Sequence, residues 1–329
     1  MTISSAPLSI NRPAAGITFI LVGMIAISVN DMLIKLLSGA YPLHQMVFIR
    51  SSVGICFSMM LVWFEGGWSI LKTRNPLLHL SRGILIVLSN LTFFTALAVI
   101  SLADATALFF VAPLLITLLS IPVLGEKVGP FRLGAVAVGF LGVVIMIEPW
   151  KEEREIAIAI LLLPVLSAFA YALNQVVTRK LGATTKASAL AVYVQAMFIL
   201  VSIGFYLVAG DGHFVTAESS GSMRFLLRPW TWPQGTDIWL FVILGLNSAI
   251  VGYCIAQAYR MADAATVAPF EYVGVPMAVF WGWLLWQQLP SLPTLAGIFL
   301  IAGSGLFVFL RERQKQQRIV SERVINRRY

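Results

Sequence analysis

Apolar residues run in long stretches over most of the chain, and polar residues are gathered into short breaks between them. A helix rises about 1.5 Å per residue, so roughly 20 mainly apolar residues cross a hydrocarbon core. Ten stretches meet that length, at about 14–37, 43–64, 79–99, 104–124, 130–148, 156–178, 187–209, 237–259, 264–287 and 292–310. They predict an all-α integral membrane protein with ten transmembrane helices and no room for a soluble domain. The one sizeable loop, about 210–236, is rich in Gly, Ser, Trp and Pro, and its run from Arg228 to Pro233 suits an interfacial belt.

Composition sharpens this picture. Hydrophobic residues make up 59% of the 329 and charged residues 12%, with a mean hydropathy of +0.87, whereas a soluble domain carries roughly 25% charged residues. The net charge of +8 does not mark a nucleic-acid surface, because the Lys and Arg residues sit in loops and at the C-terminus. Counting alternate loops from the N-terminus puts Arg12, Lys72, Arg74, Arg82, Lys127, Arg132, Arg179, Lys180, Lys186, Arg260 and seven tail residues on one side, 17 in all. Four lie opposite: Lys151, Arg154, Arg224 and Arg228. The positive-inside rule then places both termini in the cytoplasm, which ten spans allow. The basic tail, 311–329, suits anionic headgroups. The first apolar run lacks a small-residue cleavage signature and is read as a retained helix. Cys56 and Cys254 fall inside apolar runs with no metal or disulfide spacing, and read as small buried hydrophobes.

The chain repeats. At an offset of 144, Asn30-Asp31 with Lys35 and Leu37 falls on Asn174-Gln175 with Arg179 and Leu181. Ala103-Asp104-Ala105-Thr106 opens the fourth span and Ala262-Asp263-Ala264-Ala265-Thr266 the ninth, and both spans contain proline. The predicted organisation is a 1–13 N-terminus, a first five-helix repeat over 14–148, a 149–155 connection, a second repeat over 156–310 and the tail. Five is odd, so the halves enter the membrane in opposite senses. Inverted repeats of this kind offer two nearly equivalent packings around a central site, the basis of alternating access.

These residues resemble the drug/metabolite transporter superfamily, and within it the EamA-type members. The likeness covers about 14–310 and is carried by Pro113 through Leu124-Gly125-Glu126, the Gly-rich helix after it, the Asp31/Lys35 signal and Ala265 to Pro269. In the second half Gln287-Gln288 stands where the family's acidic residue is expected. The resemblance implies a ten-helix carrier of a small organic solute in the bacterial inner membrane, among solutes that include amino acids, purines, riboflavin, S-adenosylmethionine and sugar nucleotides.

Charge inside a span costs on the order of 2.5–3.5 kcal/mol at the helix centre, so Asp31, Lys35, Arg50 and Glu271 are the first substrate or coupling candidates. Asp31 and Lys35 are four residues apart, the spacing of a helix ion pair. The four charges sum to zero, which suits a zwitterionic or neutral solute. Glu271 is the candidate proton-linked carboxylate, with a fixed pairing to Arg50 as the structural alternative. Asn30, Asn90, Asn174, Gln175, Gln195, Asn247, Gln257 and Tyr272 can bind a solute or join helices. Phe109, Phe110, Phe270, Tyr272 and Trp281 offer a stacking surface for a planar ligand such as riboflavin. Pro113, Pro269 and Pro276 should kink the fourth and ninth spans. The glycines of the fifth span suit close packing, within the chain or in a homodimer. No cofactor or metal set is expected, and neither HExxH nor GxSxG occurs to support an enzyme. A non-transporting receptor or scaffold is the alternative function.

Overall fold

The computed structural model describes residues 13–325 apart from 74, 126–128, 152–154, 182–186, 217 and 262–269. Its helices are α1 (Pro13–Leu37), α2 (Leu43–Glu65), a 3-10 turn (Gly67–Leu71), α3 (Pro76–Leu97), α4 (Leu102–Phe109), α5 (Ala112–Leu124) and α6 (Pro130–Ile147) in the first half. The second half has α7 (Ile158–Leu181), α8 (Ala187–Ala209), α9 (Gly221–Leu227), α10 (Asp237–Met261), α11 (Gly274–Trp286) and α12 (Leu292–Ile325). Among the described residues, nine helical spans are long and apolar enough to cross a bilayer, and α11 is a shorter apolar helix. It occupies the C-terminal part of the expected ninth span.

Local chemistry sets the helix starts. Proline opens α3 and α6 from its first turn, where a missing N–H costs nothing. The Ser101 hydroxyl accepts from the Asp104 N–H at 3.0 Å and donates to its carboxylate at 2.6 Å, an N-cap that starts α4. The Thr294 hydroxyl of α12 donates to the other Asp104 oxygen at 2.6 Å. The fourth span is therefore two helices with a break at Phe110-Val111, and Pro113 lies in the first turn of α5 rather than in mid-helix. The ninth span breaks likewise at Tyr272-Val273, with Pro276 in the first turn of α11; Pro269 lies outside the described residues. The last helix continues to Ile325, past the expected end at 310, because its tail contains neither Gly nor Pro.

The helix partners reproduce the repeat. Alpha1 packs against α10 and α3 against α7, while α2 meets α8, α6 meets α12 and α4 meets α11. Exchanging the halves turns the first two contacts into each other and leaves α2 on α8 and α6 on α12 unchanged. The exchange also relates α5 on α7 to α11 on α1. Glycines permit the tightest of these contacts: a Cβ on Gly142 would lie 3.0 Å from the Gly297 carbonyl oxygen, and one on Gly297 2.8 Å from that of Gly142. Gly139 and Gly142 of the fifth span therefore serve packing within the chain, whereas a Cβ on Gly134 would meet nothing within 4 Å.

Candidate functional site

Arg50 lies two turns into α2 and is 5% exposed, so its guanidinium must find partners inside the bundle. Its Nη1 donates to the Asn30 side-chain oxygen at 3.4 Å, and its Nη2 to that of Asn90 at 3.3 Å. The Phe198 ring of α8 lies 5.2 Å from the guanidinium carbon. Asn30 in turn donates from Nδ2 to the Asp31 carboxylate at 3.1 Å. One amide thus stands between acid and base, and four helices contribute to the cluster.

The Asp31/Lys35 ion pair expected from spacing does not form. The Lys35 ammonium donates to the Leu97 carbonyl at 3.1 Å and to that of Ile100 at 2.5 Å, and lies 5.5 Å from the Trp286 ring. The C-terminus of α3 exposes carbonyls that no helical N–H satisfies, and a nearby ammonium caps them. Lys35 joins the α1 end to α3 and to α11 of the other half, outside the Arg50 cluster.

A second cluster surrounds the breaks in the fourth and ninth spans. Phe109 contacts Phe93 at 5.5 Å and Tyr171 at 5.4 Å between ring centroids, and Phe110 contacts Tyr272 at 5.3 Å. Gln175 donates to the Tyr171 hydroxyl at 2.8 Å. Glu271 lies close enough for its charge to act on the hydroxyls of both Tyr171 and Tyr272. Glu271 and Arg50 therefore belong to different clusters. Among the described residues the Tyr272 hydroxyl is buried without a hydrogen-bond partner, and it crowds the space where a Cβ on Gly305 would stand.

Several other candidates join helices. Asn247 donates to the Ala26 carbonyl at 2.6 Å, Gln195 to Ser248 at 3.4 Å, and Trp281 Nε1 to Ser28 at 3.2 Å, whereas Gln257 donates to Tyr253 one turn back on α10 itself, at 3.0 Å. Asn174 is buried on α7, one position before Gln175. Tyr171 and Phe198 were not legible as site residues, because an aromatic on an apolar stripe reads as core until its neighbours are known.

A cleft adjoins the Arg50 cluster. It runs between α2, α3 and α8 beneath Leu226, and its lining includes His44, Val47, Asn90, Phe198 and Ser202. The loop before α10 closes this end of the bundle. Gln45 and Thr231 exchange two hydrogen bonds, at 2.6 and 3.2 Å. His44 Nδ1 meets the Leu226 carbonyl at 2.9 Å, Tyr41 donates to Asp237 at 2.8 Å, and Arg228 donates to the Gly39 carbonyl. Trp230 packs on His44, Phe48 and Tyr206, while Trp232 is 90% exposed. A second cleft, lined by Glu65, Gln195 and Gln257, lies between α2, α8 and α10.

Comparison with known proteins gives these features a setting. Residues 14–148 match the EamA-like transporter family. A riboflavin transporter of Rhizobium johnstonii is 28% identical over 310 residues, covering 94% of this chain and 95% of its own length. An S-adenosylmethionine uptake transporter of Rickettsia felis is 25% identical over 303 residues, covering 92% and 95%. A solved crystal structure with 20% identity has the same fold, with a TM-score of 0.62 over 90% of this chain and 98% of that one.

Proposed function

We propose, from the premise that this chain is a member of the drug/metabolite transporter superfamily with an EamA-like first half, which solute and which residues its transport cycle uses. It is a multi-pass membrane protein and a secondary transporter of a small metabolite. In our reading the solute is zwitterionic or planar and crosses the bacterial inner membrane between the two inverted repeats, 14–148 and 156–310. Riboflavin and amino-acid-like compounds are the first solutes to try. Both termini face the cytoplasm in this reading, so the end closed by the 210–236 loop faces the periplasm.

The observation that carries the assignment of residues is the buried sequence Asp31, Asn30, Arg50, Asn90 across three helices. Keeping two ionisable groups away from water costs several kcal/mol per ion, and a structural ion pair would recover more of that by direct contact. An amide interposed between them leaves both groups able to engage a solute. Phe109, Phe110, Tyr171 and Tyr272 then form the aromatic surface beside the broken spans, and Glu271 the proton-linked carboxylate. Asn174 and Trp281 support the helices around it, and Lys35 closes the periplasmic end. The chain acts by binding and moving its solute without chemically altering it.

The test begins with purified protein and a metabolite library screened by thermal shift, since a ligand of the native state raises apparent stability. Each hit is then followed into proteoliposomes with and without a pH gradient. Gradient-driven uptake that is lost in Glu271→Gln supports the reading. A ligand that stabilises the protein but never crosses would favour a receptor, and flux with unchanged pH dependence in Glu271→Gln would remove the coupling role.

A further inference from the structure

Arg50 has five N–H donors and engages two of them, both with neutral amide oxygens at 3.3 and 3.4 Å. Its Nε is buried with no partner, and among the described residues no carboxylate lies within ion-pair distance of the guanidinium. Guanidinium bonds to carboxylates are shorter, about 2.7–2.9 Å, and often bidentate. A 95% buried cation with long contacts to neutral groups is an anion site waiting for its anion. Asp31 does not fill it, because Asn30 takes up the acid first.

The cleft beside it supplies the rest of a binding site. Asn90 and Phe198 touch Arg50 and also line the cleft, and their neighbours along it include Val47, Leu91 and Phe205. Farther along is His44, whose Nδ1 meets the Leu226 carbonyl. A carbonyl can only accept, so Nδ1 carries the proton and Nε2 of the neutral ring is an acceptor. Among the described residues that Nε2 is also buried without a partner. The site therefore offers an anion receptor at one end, an apolar middle and a hydrogen-bond acceptor at the other.

We propose that Arg50 anchors a carboxylate of the transported solute, which displaces the Asn90 amide from the guanidinium while its apolar body lies in the α2/α3/α8 cleft. A hydrogen-bond donor on the solute reaches His44. The idea rests on the transporter reading above and narrows its solute class to carboxylate-bearing metabolites. Riboflavin, which has no carboxylate, is then not the preferred cargo.

Two measurements on the full chain test this. Proteoliposomes are loaded with an equimolar mixture of riboflavin, S-adenosylmethionine, L-phenylalanine and L-phenylalaninamide, and efflux is read by mass spectrometry. The expected result is flux confined to carboxylate-bearing members, reduced by about 30-fold or more in Arg50→Gln, as truncating one partner of a buried charge pair demands. Flux of riboflavin or the amide with no effect of Arg50→Gln overturns the proposal. The second measurement needs no solute. Asn90→Asp supplies the carboxylate internally, and should raise the melting temperature of ligand-free protein by about 2–4 °C. The same substitution in an Arg50→Gln background should lower it. An equal fall in both backgrounds overturns the anion site. If no solute moves but the Asn90→Asp rise appears, the anion site is upheld and the transport reading fails instead.

Discussion

Phe110 and Tyr272 stack 5.3 Å apart with their rings inclined at 33°, each at the residue where its own transmembrane span breaks. The two are equivalent by the repeat. From each of them the chain runs through a Val into a 13-residue helix, α5 or α11, and ends at a left-handed residue, Gly125 or Gln287. Symmetry mates touch each other only on the axis that exchanges them. The breaks therefore meet at the centre of the molecule, where free helix-end N–H and C=O groups are tolerated because they are enclosed by protein or line a cavity.

The pair has two different expected responses. Phe110→Ala removes a ring that is 7% exposed and should destabilise by about 3–5 kcal/mol, as large-to-small aromatic changes in cores do. Tyr272→Phe deletes a hydroxyl that is buried without a partner among the described residues, and should leave thermal stability unchanged or raised. Melting curves in detergent separate the two. A fall in stability for Tyr272→Phe would show that its hydroxyl has a partner after all, whereas a fall in uptake at full stability would mark it as a solute contact.

Tyr41 and Asp237 give a pH-dependent link between the halves. Tyr41 lies between α1 and α2, and burial together with the Asp237 carboxylate pushes its phenol above the ordinary tyrosine range. The native state thus prefers the protonated phenol. Its contribution is complete below the unfolded pKa, about 10, and is lost as pH rises through the higher folded value. Tyr41→Phe should cost about 1.5–3 kcal/mol near pH 7, the range for a hydrogen bond to a charged group, and should flatten part of the alkaline decline in stability. Urea or thermal unfolding from pH 7 to 11 checks both the offset and the slope.

The spans and the inverted repeat were legible because hydrophobic length and residue order are properties of the chain itself. Proline at 113 pointed to an irregular fourth span, but the break at Phe110 depends on the ninth span meeting it there. Lys35 shows the limit more sharply. Spacing of four residues put it near Asp31, yet the carbonyls that hold it belong to Leu97 and Ile100, some sixty positions away, and nothing in the sequence says that α3 ends beside α1. Asn30 was legible as polar but not as the amide between Asp31 and Arg50. The extension of α12 past Leu310 was visible in its helix-forming tail once the membrane boundary was not taken as a helix boundary.

The contact between α6 and α12 predicts an asymmetry among glycines. A methyl on Gly297 would lie 2.2 Å from Met146 Cγ and 2.8 Å from the Gly142 carbonyl oxygen, whereas a methyl on Gly303 meets nothing within 4 Å. Gly297→Ala should therefore lose about 1–3 kcal/mol through overpacking. Gly303→Ala should be neutral or gain a few tenths by helix propensity. Paired melting measurements decide it, and equal effects at the two positions would mean that the backbones are not in close contact.

Gln287 closes α11 in the left-handed conformation, at φ 54°, where Gly125 closes α5 at φ 69°. The Gln287 N–H bonds to the Trp283 carbonyl at 3.1 Å, and Gln288 N–H to that of Gly282 at 3.0 Å, so the turn folds the chain back over the last helical turn. A side chain at such a position costs about 1–2 kcal/mol of local strain that glycine does not incur. Glycine also loses more conformational freedom on folding, which offsets part of the gain. Gln287→Gly should thus stabilise by about 0.5–1 kcal/mol. The converse substitution makes the argument reciprocal: a Cβ on Gly125 meets nothing within 4 Å, so Gly125→Gln changes only the conformational term and should destabilise by a similar amount. Exchanging the two residues would leave stability close to that of the original chain if local backbone strain alone sets the effect. A net loss in the exchanged protein would instead mean that the Gln287 side chain makes a contact that compensates its strained backbone.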